Sequence, residues 1–158
     1  MKCCMACLTD VVLLALCGVF STCGPRRSPE CHKYDAFLEL GPTDQQRLEF
    51  LKHPLDEQVE IYICAWYSEP APRYLADVIA DRGEAALPVL RKRLNEEPKE
   101  YSQKAIVYAF SVMGSKGYLR GRRDLLDEIR AKVSSMKDEH TRRSSQEFLD
   151  EIELQTMK

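Results

Sequence analysis

Glycine is scarce in this sequence, at 7 of 158 residues, and no stretch alternates apolar and polar residues. Tight hairpin turns and half-buried strands need both features, so a β architecture is not expected. Histidine is scarcer, at 3 residues. His32 adjoins Cys31, but His53 and His140 have no ligand-spaced partners, and a metal needs three or four donors at defined spacing. There is no HExxH, no GxSxG and no glycine-rich phosphate loop, and no CxxC beyond the first two dozen residues. The net charge of −2 gives no overall pull toward nucleic acid. These patterns predict no catalytic residue, no metal and no cofactor, and they point to a binding protein rather than an enzyme. No apolar run reaches the roughly 20 residues of a membrane-spanning helix.

What is present begins with a leader. Lys2 precedes the apolar run Val11–Phe20, which has the length of a signal-peptide core. The run meets Phe20-Ser21-Thr22-Cys23-Gly24, which resembles the lipobox of bacterial lipoproteins. The resemblance implies a signal peptide over 1–22 and diacylglycerol (with palmitate) on Cys23. It places the chain in the bacterial cell envelope, lipid-anchored to a membrane and facing the periplasm. Arg26 and Arg27 follow the run while only Lys2 precedes it. By the positive-inside rule that bias disfavours export and supports a competing arrangement, a cytoplasmic domain on a short N-terminal anchor. A plain secretory signal cleaved nearby is a third reading. Residues 23–33 read as the lipidated cysteine and a flexible tether, rich in proline and arginine.

Cysteine use follows the same division. Cys3, Cys4, Cys7, Cys17 and Cys23 lie in the leader, and only Cys31 and Cys64 lie beyond it. Outside the cytoplasm these two either pair, or Cys64 is buried as a thiol and Cys31 stays free.

Residues 34–158 read as one all-helical domain. Thr43-Asp44-Gln45-Gln46 has the form of a capping box, and the following helix is expected to turn Leu48 and Leu51, with Phe50 as a further candidate, to the core. Leu55–Ser68 carries a full apolar stripe, Val59, Tyr62, Ile63, Trp66 and Tyr67, widened by Ile61, Cys64 and Ala65. That helix is predicted to be the centre of the fold. Arg73–Arg82 follows with Leu75, Val78 and Ile79 inward.

The clearest pair of helices spans Gly83–Gly114. Ala86, Leu87, Leu90 and Leu94 share one face of the first, and Ile106, Ala109, Phe110 and Met113 share one face of the second. Gly83 suits a left-handed stop of the preceding helix, and Gly114 is expected to end the second. Arg122–Met136 and Glu139–Leu154 resume the pattern, with Leu125 or Leu126, Ile129, Val133, Phe148, Leu149 and Ile152 inward.

Ala86-Leu87-Pro88-x-Leu90 with Leu94, and Ile106-x-x-Ala109-Phe110-x-x-Met113-Gly114, resemble the HEAT-repeat family. The resemblance implies a short stack of antiparallel helical hairpins, either a HEAT-like α-solenoid or an irregular helical bundle. It also implies an interaction surface without chemistry.

The expected function is a membrane-anchored envelope lipoprotein that acts as a non-catalytic protein–protein interaction module. An inhibitor or immunity-type lipoprotein that neutralises a toxin or enzyme is the alternative. Arg91, Lys116, Arg120, Arg122 and Arg123 form the candidate basic patch for an acidic partner or anionic lipid. Tyr67 and Tyr74, beside the Pro70–Pro72 connection, are the candidate aromatic contacts. The patterns give neither the identity of the protein partner nor the oligomeric state.

Overall fold

A computed structural model describes residues 28–68 and 70–157. The signal segment 1–22, Cys23 and the tether as far as Arg27 lie outside the described residues. Among those described there are eight α-helices and no strand: α1 Asp35–Leu38, α2 Asp44–Lys52, α3 Leu55–Ala65, α4 Tyr74–Ala80, α5 Ala86–Glu96, α6 Glu100–Ser115, α7 Arg123–Ser135 and α8 Glu139–Thr156. Short 3-10 turns cover Pro29–Tyr34 and Gly83–Ala85. The expected all-α class holds. No described helix is long and apolar enough to cross a membrane.

α6 is the packing hub. It meets α8 most extensively, then α4, α5 and α3. The expectation that the Leu55–Ser68 helix is central therefore needs adjustment. α3 is indeed buried on several sides, with Val59, Ile61, Tyr62 and Ala65 fully enclosed, but fewer helices wrap it. The cause lies in the α6 sequence. Ala105, Ile106, Val107, Ala109, Phe110 and Met113 are all solvent-free, and small Ala105 and Ala109 let neighbours approach from several directions. The buried Tyr62 hydroxyl donates to the Ala105 carbonyl at 2.8 Å and joins α3 to α6. Burial pushes the Tyr62 phenol well above its ordinary pKa.

Helix ends follow local chemistry. Thr43 Oγ1 accepts from the Gln46 amide at 3.2 Å, so the predicted N-cap forms. The reciprocal half of the capping box does not. Gln46 instead turns inward and donates from Nε2 to the Phe37 carbonyl at 2.9 Å. That inward turn also reverses the predicted face of α2. Phe50 is fully buried, its ring 6.0 Å from that of Phe37, whereas Leu48 is 62 % and Leu51 39 % exposed.

Gly83 takes the expected positive φ, 63°. Gly114 does not end α6. The stop comes at Gly117, φ 84°, where Gly117 N–H donates to Gly114 O at 2.8 Å and Tyr118 N–H to Met113 O at 3.1 Å, a Schellman motif. Gly114 serves the α6–α8 approach instead. A Cβ there would sit 2.7 Å from Gln155 Oε1 and 3.8 Å from the Ile152 Cα. On α7, Leu125 is the buried leucine and Leu126 packs at the margin.

The first described residues lie within the stretch expected to be a tether. Pro29–Tyr34 is helical, and Cys31 and Tyr34 are buried. Cys31 and Cys64 form a disulfide, their Cα atoms 5.4 Å apart, which fastens this turn to the end of α3. Lys33 reinforces it through Glu60 at 2.9 Å, and that carboxylate holds the Lys33 ammonium above the usual lysine range.

Candidate partner-docking surface

Of the five basic residues singled out in the sequence, Arg91, Lys116 and Arg122 face carboxylates. Arg91, on α5, donates from Nε to Glu128 Oε2 at 2.8 Å and also pairs with Asp124 at 3.2 Å, bridging α5 to α7. The Glu128 contact raises the guanidinium pKa, and Arg91 in turn holds the Glu128 carboxyl below its ordinary value. Lys116 pairs with Asp81, which Arg47 approaches at 3.8 Å. Arg122 reaches Glu84 at 3.1 Å and donates from Nε to Tyr118 O at 3.2 Å. These contacts hold α5, α7 and the 116–122 loop together, and they leave little net positive charge to offer a partner. Arg120 and Arg123 are exposed. Arg123 opens α7, and the loop that carries Arg120 is anchored by Leu119, which is fully buried.

The two tyrosines part company. Tyr74 is half-buried, and its hydroxyl is enclosed without a hydrogen-bond partner, so desolvation raises its pKa. It lines a largely apolar cavity of about 650 Å³ with Leu38, Pro42, Gln46, Ala71 and Pro72. Tyr67 bonds Ser102 Oγ at 2.9 Å and packs on Tyr101, ring centroids 5.1 Å apart. It also lines a smaller cavity of about 260 Å³ beside the disulfide, together with Arg93, Lys99 and Glu97.

A second, larger aromatic arrangement joins the end of α3 to α6 and α8. From fully buried Tyr62 the rings step outward. Trp66 lies 5.8 Å from Tyr62, Tyr108 lies 5.3 Å from Trp66, and Phe148 lies 5.0 Å from Tyr108. A cation covers each group. The Arg73 guanidinium is 5.4 Å from the Tyr108 ring centre, and Lys104 Nζ is 5.7 Å from that of Tyr101. Tyr101, Lys104 and Tyr108 recur at three and four along α6, on the side away from its buried stripe, and all three are half-buried. Phe148 continues the strip on α8. Lys104 is depressed below the ordinary lysine value by desolvation first and by Arg73 second, while Glu147 and Asp138 act the other way at longer range.

The sequence pattern places Tyr62, Trp66 and Phe148 in the core and Tyr67 at the surface, but it does not single out Tyr101, Lys104 or Tyr108. The available signal was the second, half-apolar register of α6 at 101, 104 and 108, which the stronger Ile106–Met113 stripe overshadows.

Among the described residues no group of three or more His, Cys, Asp or Glu side chains gathers as a metal site. No family model matches this chain, and neither a curated protein nor a solved structure matches it.

Proposed function

We propose that this chain is an envelope lipoprotein, anchored through acylated Cys23, whose helical domain docks a protein partner in the periplasm without catalysing a reaction. The observation that carries the compartment is the Cys31–Cys64 disulfide. Such bonds persist in oxidising compartments and are rare in the cytoplasm, so the bond favours export over a cytoplasmic domain on a short anchor. The order of packing supports the interaction role. α4, α6 and α8 are successive neighbours, as are α3 and α5, and this order supports reading the domain as a short HEAT-like stack of hairpins. A tether confines the domain near one membrane and raises its effective concentration for a partner there.

The test has two arms. Intact mass of the membrane-extracted protein is expected to give an acylated Cys23 as the first residue, with release of the Cys23→Ala protein from the membrane. A chain that still begins at Met1 overturns the lipoprotein reading. Cross-linking in membranes is expected to capture one protein that a surface-scrambled variant fails to capture, and equal capture by both overturns the docking reading.

A further inference from the structure

Two kinds of cation occur on this domain. Arg91, Lys116 and Arg122 each touch a carboxylate. Arg73 and Lys104 form no ion pair with a described residue and instead lie over tyrosine rings. They also lie near enough to repel each other, and half-buried Lys104 is already partly dehydrated. An acceptor arriving between them relieves that repulsion and replaces lost water, while the rings beneath offer apolar area.

From this juxtaposition we propose that the strip Tyr101–Lys104–Tyr108–Phe148, with Arg73 at its edge, is the docking surface for an acidic segment of a protein partner, a carboxylate seated between Arg73 and Lys104 and an apolar side chain laid on Tyr108 and Phe148. This rests on the docking function proposed above and specifies its site and chemistry. Three features select a protein over a lipid headgroup or a nucleic acid. From Tyr101 to Tyr108 the strip runs about 10 Å along α6, at 1.5 Å per residue. Its floor is aromatic, as at the energetic centres of protein interfaces. Its margins are acidic: Asp77 and Glu151 act on Tyr108, and Glu147 and Asp138 on Lys104. Those margins repel a dense polyanion but accommodate a single carboxylate next to an apolar residue.

The experiment uses the mature domain with its disulfide intact and a short labelled peptide that carries one Glu flanked by Phe, read by anisotropy. Saturable binding is expected, weakened roughly fivefold by Arg73→Gln and by Lys104→Gln, unchanged by Arg91→Gln, and lost for the peptide with Gln in place of Glu. Near-UV circular dichroism checks that each variant keeps its packing. The proposal is overturned if the Glu peptide does not bind, if the Gln peptide binds equally, or if Arg73→Gln and Lys104→Gln change nothing. Binding of phosphatidylglycerol vesicles with the same dependence on Arg73 and Lys104 also overturns it, by making the site one for lipid. Each failure leaves the cross-linking experiment in membranes to decide separately whether a protein partner docks elsewhere on the domain.

Discussion

The two charged faces of this domain use their cations in opposite ways. On the α5–α7 face, Arg91 spans to Asp124 and Glu128, and Arg130 on α7 reaches Glu153 on α8 at 2.7 Å. Those arginines clamp one helix to the next. On the α6 face, Arg73 stands over Tyr108, which is rooted in the core through Trp66 and Tyr62, and Lys104 stands over Tyr101, which packs on Tyr67. The difference teaches that a basic cluster in a sequence is only a candidate for binding. What matters is whether carboxylates from other helices reach it first, and that is a property of packing.

Removing the root of the α6 face is expected to have the largest effect. Trp66→Ala deletes a buried indole that contacts both Tyr62 and Tyr108. It should lower unfolding free energy by about 3–5 kcal/mol in chemical denaturation, and a loss no larger than that of a surface substitution would place the rings' support elsewhere. Next is the disulfide. It closes a separation of 33 residues, and the Cys31→Ser, Cys64→Ser double variant should lose about 2–4 kcal/mol, read as a lower denaturation midpoint than that of the oxidised protein. Tyr62→Phe is milder, because it keeps the ring and removes only the bond to Ala105 O. About 1 kcal/mol is expected from denaturant titration.

The smallest effect belongs to the clamped face. Arg91→Gln, at a pair open to water, should barely move the melting temperature at neutral pH. Its signature is in the pH profile. Glu128 has a folded-state pKa below its unfolded value, so its stabilising contribution is present above the ordinary carboxylate range and is lost as pH falls through the folded pKa. The acid limb of a melting-temperature profile should therefore be shallower in Arg91→Gln than in the wild type. An unchanged acid limb would mean the pair contributes nothing.

Much of the fold is legible where the apolar period is strong. Leu87, Leu90 and Leu94 on α5 and Ile106, Phe110 and Met113 on α6 are all buried as their spacing predicts. Legibility fails where one residue decides between two readings. On α2, Leu48 and Leu51 are apolar but exposed, because the Gln46 amide finds the Phe37 carbonyl and turns Phe50 inward. That bond joins positions nine residues apart, and no helical period encodes it. Gly114 reads as a stop, yet it lies at a close approach to α8, and only the distant Gln155 and Ile152 reveal that. The candidate site suffered most. The partners that neutralise Arg91, Lys116 and Arg122 come from positions 33 to 38 residues away or from across a loop, whereas the half-exposed register of α6 hides beside a stronger buried one.

The comparison turns on whether Lys104 lacks a carboxylate partner. NMR titration of its side-chain amine measures this directly. Lys104 is expected to titrate below the ordinary lysine value, to rise only part of the way back in Arg73→Gln because desolvation is the larger cause, and to rise further when the Glu-Phe peptide is added. A Lys104 that titrates at or above the ordinary value in the free protein would mean that a carboxylate already holds it, and the distinction between the two faces would be lost.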